Sequence, residues 1–485
     1  MRAPALLLLL LLSCAAAAPR QAAASPRPLT VLYDSWLYLP HSYAVTSAFE
    51  LLHLRTAFPS LKLLVREPVY YQQGWQRSLA FSERYNGVLR SLEQYNGTQS
   101  VDLVLRRSYP HQLTTWPGEE LGVPLLLFYT AEAGPGGLPA TNFALDAPTR
   151  CREDGPVCWP ELGVADVRRR LKSSRNLRLL TPSTWSAQGA AVYQKEPPFI
   201  VPHGVDTSLF RRLTDEQRAA TRTHYGLAPS DFLVFSVGAM TRNKGMIPLL
   251  RALHSVVHRA PKPRTVLMLK GMGALYDSKK WLESFFWECV KEEAADSSPA
   301  WTAEEVTAYR EQLSVVFASH ILFLDTTLSA ASLNELYNAA DLVAAPYHQE
   351  GFSLTPLEAL AAGTPVLVPR KGGAADYLAD LHGTESGPAF VHFLASDELE
   401  AGPNGGMQNV VRAGEVADII LRLAERKKAG AGRPGKGEHA ALVARILTHW
   451  SWTSVAAKLH ALFQELAPPR PKVQFRRVES NAGEL

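Results

Sequence analysis

The chain is poor in cysteine, with four in 485 residues. That excludes a small scaffold built on disulfides. The C-x6-C pair Cys151 and Cys158 has no histidine or further cysteine nearby, so zinc-ligand spacing is absent too. The body of the chain has no apolar run long enough to span a membrane. Charge of one sign is also lacking. Fifty Lys and Arg face 46 Asp and Glu, leaving a net charge of +4 spread along the chain. Such a balance argues against a nucleic-acid partner. No D-x-D motif stands in a loop suited to a metal ion, so no metal and no cofactor are expected. What remains is an ordinary globular composition, 46% hydrophobic and 20% charged, at a length that suits two or three domains.

The first residues differ from the rest. Arg2, the apolar run 5–12 and the small residues 13–18 have the pattern of a secretory signal peptide over 1–24, with a retained anchor as the alternative. Cys14 belongs to that segment. In an oxidising lumen Cys151 and Cys158 would close a disulfide; otherwise they are two free thiols. Cys289 reads as a buried filler. Asn96-Gly97-Thr98 is a glycosylation acceptor. The tail 468–485 is polar and ends in Glu484-Leu485, the last two letters of a K-D-E-L signal. These features place the chain in the secretory-pathway lumen, endoplasmic reticulum or Golgi, or alternatively outside the cell. Membrane contact is open.

One stretch organises the rest, residues 345–373, APYHQEGFSLTPLEALAAGTPVLVPRKGG. It reads as strand end, loop, helix 356–362 and buried strand 366–368. Thr355 is placed as an N-cap, Pro356 in the first turn, Glu358 as a capping-box glutamate and Gly363 as the stop. A helix N-terminus offers free amides and the positive end of a dipole, which suit a phosphate. Carboxylates suit paired sugar hydroxyls. Glu350 and Glu358 therefore have two readings each: loop charge or helix cap, and ligand to a nucleotide-sugar.

This stretch resembles the E-x7-E signature of retaining GT-B glycosyltransferases, especially glycosyltransferase family 4. The matching residues are Glu350-Gly351-Phe352, Glu358-Ala359, Ala361, Gly363, Pro365 and Val366. The segment Pro202-His203-Gly204-Val205-Asp206 is similar to the family's P-N-G-V-D, with His203 in place of Asn. Lys244-Gly245 match the end of G-R-x-x-x-x-K-G. Ala239 stands at the usual Arg, and Arg242 follows three residues later. The resemblance implies that Glu350 is catalytic and binds donor sugar hydroxyls, and that Glu358 binds the ribose. It implies that Lys244, Arg242 and the amides of Gly351, Phe352 and Ser353 hold the diphosphate, and that His203 contacts the donor. In the first half the family's Gly-Gly is missing from Leu39-Pro40-His41-Ser42-Tyr43. Glu132, after the apolar run 123–129, is either a plain loop carboxylate or a group facing the ligand crevice.

Strand candidates alternate with helical segments along the chain, which is an α/β, doubly wound pattern. With the resemblance it implies a GT-B fold, two Rossmann-like domains facing a cleft. The expected division is an acceptor domain over 25–205, a nucleotide-sugar donor domain over 206–440, a helix 441–467 crossing back to the first domain, and the tail. The implied function is a retaining hexosyltransferase. Its partners would be a UDP- or GDP-sugar and a glycan, glycoprotein or glycolipid acceptor. The alternative is a non-catalytic carbohydrate- or protein-binding relative, motivated by Ala239 and the missing Gly-Gly.

Overall fold

The computed structural model describes residues 28–467 except 69, 71–74, 78–82, 110, 114–122, 135–142, 145–148, 151–156, 159–161, 175, 195, 298, 385–386 and 403–405. The expected signal 1–24, the tail 468–485 and Cys151 lie outside the described residues, as does the side chain of Cys158.

The first domain is built on β1 (Thr30–Ser35), β2 (Lys62–Arg66), β3 (Glu93–Gln94), β4 (Leu103–Arg107), β5 (Leu125–Phe128), β6 (Leu177–Thr181) and β7 (Phe199–Ile200). They lie in the order β7-β6-β5-β4-β1-β2-β3, each pair parallel. The second domain uses β8 (Phe232–Val237), β9 (Thr265–Lys270), β10 (Ile321–Leu324), β11 (Leu342–Ala344), β12 (Val366–Val368) and β13 (Val391–Phe393). Their order is β10-β9-β8-β11-β12-β13, again all parallel. In both sheets the chain builds to one edge, returns to the centre and builds to the other. That is the doubly wound arrangement, with a crevice where the direction reverses.

The central strands of the second sheet are largely apolar because both faces are covered, while β1 and β4 of the first end in buried, paired charges, Asp34 with Arg106 and Arg107 with Glu50. On β8, Leu233 and Phe235 enter one core while Phe232 and Val234 enter the opposite one. The alternation follows from the two-residue period of a strand.

The last helix ties the domains. Helix α1 (Ser42–Ala57) packs under the first sheet, and the last helix, α5 (Trp452–Leu466), lies against it. The expected crossing helix over 441–467 is therefore divided. Helix α4 (Lys436–His449) stays on the second domain, the chain breaks at Trp450-Ser451, and Ser451 Oγ caps α5 by accepting from Ser454 N at 3.2 Å. Trp452 stacks on Phe49 with ring centroids 5.2 Å apart. Val455, Leu459 and Phe463 are buried in the same core, each contributing roughly 1.5–3 kcal/mol.

Between β9 and β10 lie two long helices, Ser278–Asp296 and Ala303–His320. On the first, Phe285 is buried, while Trp281 and Trp287 are 38% and 52% exposed. Leu399–Ala401 and Met407–Asn409 pair as an antiparallel hairpin. Cys289 is buried and free, in the core beneath helix α2 (Met246–Arg259).

Candidate active site

The second sheet reverses between β8 and β11. Lys244 follows the first of these strands and Glu350 the second. Gly245 lets the two loops meet. Its φ is +70°, and a Cβ there would collide with the Pro346 carbonyl. Asn243 O then accepts from His348 N at 2.8 Å. The result is an ion pair, Lys244 Nζ to Glu350 Oε2, at 2.5 Å.

A third charge comes from the first domain. Glu132 Oε2 accepts from Asn243 Nδ2 at 2.9 Å, so it faces the same ammonium. Burial opposes the Lys244 charge, but Glu350 and Glu132 outweigh it and hold the ammonium above its ordinary range. Burial raises the Glu132 carboxyl, Lys244 pulls it down, and Glu350 pushes it up again. Two carboxylates around one ammonium leave the site with room for a second cation or a hydrogen-bond donor.

Beside this pair begins helix α3 (Leu354–Ala361). It starts earlier than expected. Ser353 takes φ +65°, and its carbonyl accepts from the Tyr377 hydroxyl at 2.6 Å. Thr355 is thus inside the helix and not its cap. Glu358 does not cap either. Its Oε2 accepts from the Tyr337 hydroxyl at 2.7 Å, and burial pushes its carboxyl up to about 7. Ser353, Leu354, Thr355 and Glu358 all line the cleft with Lys244 and Glu350. The open amides of the first turn suit an anion.

The cleft between the domains has a volume of about 690 Å³, within the roughly 300–1,000 Å³ of small-molecule sites. Among the described residues no His, Cys, Asp and Glu side chains gather as a metal-binding group.

Residues 300–459 match the model of a family 4 glycosyltransferase in conflict systems. Over 181 residues the chain is 31% identical to the D-inositol 3-phosphate glycosyltransferase of Segniliparus rotundus, covering 37% of this chain and 33% of that protein. It is 27% identical over 269 residues to the enzyme of the same name from Corynebacterium jeikeium, covering 56% and 52%. The chain therefore spans between a third and about half the length of these relatives. Among solved structures, Anabaena HepE in complex with UDP-glucose aligns at TM-score 0.55 and 13% identity, over 90% of this chain and 100% of that one. Sucrose-phosphate synthase from Thermosynechococcus elongatus aligns at 0.54 and 14%, over 91% and 99%. The fold is GT-B. The chain resembles glycosyltransferase family 4.

In the GT-B frame, the expected site residues divide. Lys244, Glu350, Phe352, Ser353, Glu358 and His203 line the cleft. His203 sits at its base between Phe128 and Phe352, and burial, then Arg107, holds the ring neutral. Gly351 lies behind the cleft wall. Its carbonyl accepts from Ser183 Oγ at 2.6 Å and Ser186 Oγ at 3.2 Å, so it joins the domains. A Cβ on Gly351 would collide with Thr130. Arg242 is not among the residues that line the cleft: it is 61% exposed and pairs with Glu288 at 2.5 Å, because successive side chains of the 3-10 turn Arg242–Lys244 fan out about 120° apart.

One cleft residue escapes a reading of the sequence. Lys270 is the last residue of β9, and burial lowers its ammonium while Asp325 raises it. A cation closing an apolar strand was its signal. Glu132, left between a plain loop carboxylate and a group facing the crevice, lines the cleft.

The placement in a secretory lumen is corrected. The relatives found are bacterial glycosyltransferases, and bacteria have no endoplasmic reticulum or Golgi. No helix among the described residues is long and apolar enough to cross a membrane. Asn96 is exposed in a turn where its Oδ1 accepts from Thr98 N at 3.0 Å.

Proposed function

We propose that this chain is a retaining glycosyltransferase that moves a hexose from a UDP- or GDP-sugar to a glycan, glycoprotein or glycolipid acceptor. The observation that carries the reading is Lys244 held between Glu350 and Glu132 at the switch point, beside the open amides of α3. Glu350 receives hydroxyls of the donor sugar and Glu358 those of the ribose. Lys244, Lys270 and the amides of residues 353–355 take the diphosphate. The bond from the anomeric carbon to the diphosphate oxygen breaks, and its electron pair leaves on the phosphate. The acceptor oxygen bonds to the same face of that carbon, and its proton passes to the leaving phosphate. The enzyme's part is to stabilise the leaving charge with groups already in place. This needs neither a protein nucleophile nor a metal. A UDP-sugar is supported by HepE, which was solved with UDP-glucose.

Ala239 and the outward Arg242 favour one other reading, a non-catalytic carbohydrate- or protein-binding relative. One experiment separates them. Nucleotide release is measured from a panel of UDP- and GDP-sugars, with Glu350→Ala and Lys244→Ala as controls. Release from one donor, lost in both variants, supports transfer. A folded protein that neither releases nor binds nucleotide leaves only the second reading.

A further inference from the structure

The two sides of the cleft differ in chemistry. Its second-domain side carries Lys244, Lys270, Glu350 and Glu358. Its first-domain side is aromatic. His41, Tyr43 and Tyr109 line it half-buried, with Trp36 and Trp75 buried among them, and half-buried Tyr276 closes it from the opposite rim. The rings form one cluster. Trp36 meets Trp75 edge-on at 5.4 Å, His41 meets Trp75 at 5.5 Å, and Trp75 meets Tyr276 at 6.0 Å. Trp75 Nε1 donates to Leu275 O at 3.1 Å, which holds the cluster across the domain boundary. Tyr276 lies close enough to Glu132 and Lys244 for their charges to act on its phenol. The cluster is thus continuous with the centre of the site.

Charge is the second observation. Among the described lining residues of the first domain Glu132 is the one carboxylic acid, and none is Lys or Arg. Burial lowers His41 and His111 to about 4, so both rings are neutral at pH 7. The arginines behind the wall are already engaged. Arg107 pairs with Glu50 at 2.7 Å and Arg106 with Asp34 at 2.6 Å. A phosphate placed on this side would meet the Glu132 carboxyl, and the Lys244 ammonium, whose charge also reaches His41, is already paired with Glu350.

We propose that the acceptor is an uncharged sugar, with a ring face stacked on the aromatic cluster and one hydroxyl donating to Glu132, and that phosphorylated acceptors are excluded. Aromatic rings bury the C–H face of a sugar at little entropic cost, while a carboxylate receives its hydroxyls and repels anions. This rests on the transfer reading for the word acceptor, but not for the sugar binding itself.

The test uses the full chain. Calorimetry with UDP and GDP reads the nucleotide site. Tryptophan fluorescence, with and without UDP, is then titrated with maltotriose and myo-inositol and with glucose 6-phosphate and D-inositol 3-phosphate. The expected result is that a neutral sugar binds and the phosphorylated compounds bind at least about tenfold more weakly. Tyr276→Leu, with an unchanged thermal midpoint, weakens the neutral sugar by about tenfold and leaves the UDP affinity in place. Glu132→Gln weakens it as well, which keeps the proposal testable if the first variant misfolds. A phosphorylated compound binding as tightly as the neutral ones overturns the proposal. So does a Tyr276→Leu that loses UDP and not sugar, which would make the cluster a platform for the base. Sugar binding by none of the neutral compounds overturns it too. Sugar binding without any nucleotide binding retains the sugar wall and removes the transfer reading.

Discussion

Lys244 Nζ meets Glu350 Oε2 at 2.5 Å, although the two residues are 106 positions apart. Each stands just beyond a strand flanking the reversal of the second sheet, so the fold creates the pair. With nucleotide bound, the ammonium has a diphosphate to attract it, and Glu350 is freed for sugar hydroxyls. Lys244→Ala is expected to raise the UDP dissociation constant about ten- to a hundredfold, the size of a charge-assisted hydrogen bond. Calorimetry checks this, and an unchanged constant would remove Lys244 from the diphosphate site.

Glu350→Gln keeps the shape and removes the charge. Transfer is expected to fall by roughly 10–200-fold in kcat/KM, while UDP still binds. A variant that transfers at the normal rate would contradict the role given to Glu350.

Glu358 predicts a pH dependence of stability. Its folded carboxyl titrates near 7 against an ordinary 4.5. Between those values the unfolded chain loses the proton and the folded chain keeps it. Stability therefore falls as pH rises through that window, by up to about 3 kcal/mol from this group. Glu358→Gln should flatten the slope, and near pH 8 it should be more stable than the parent by up to about that amount. Urea unfolding near pH 4 and near pH 8 reads both. Parallel curves for parent and variant would show that Glu358 is ionised in the folded cleft.

Ser183 and Ser186 both donate to the Gly351 carbonyl, linking the N-cap of one domain's helix to the signature loop of the other. Replacing both with Ala leaves a buried carbonyl unsatisfied, at a cost of about 1–3 kcal/mol. The expected readouts are a lower thermal midpoint and a larger radius of gyration in solution scattering as the cleft opens. An unchanged radius would mean that α5 and the other contacts across the cleft hold the domains together without these two bonds.

Nucleotide release should be insensitive to EDTA, because the reading assigns the leaving charge to Lys244, Lys270 and the α3 amides. Loss of activity on chelation, restored by magnesium or manganese, would require a metal in the donor site.

Much of the fold was legible locally. A buried parallel strand is a short, largely apolar run, and β6 and β8 are such runs. The helix starts were less legible. Ser353 adopts a left-handed φ because Tyr377, 24 residues later, holds its carbonyl, and no local rule contains that bond.

By itself the sequence determined the α/β, doubly wound class, because periodicity and turn chemistry act over neighbouring residues, while the division into two domains and the site reading of the stretch around Glu350 and Glu358 were implied by its resemblance to a known family. Tertiary structure alone decided which charges meet. It brought Glu132 to Asn243 across 111 positions, joined Trp75 to Leu275 across 200, and turned Arg242 out to Glu288. Those outcomes depend on how two sheets face each other, and that geometry is set by packing between distant segments, which no local window contains.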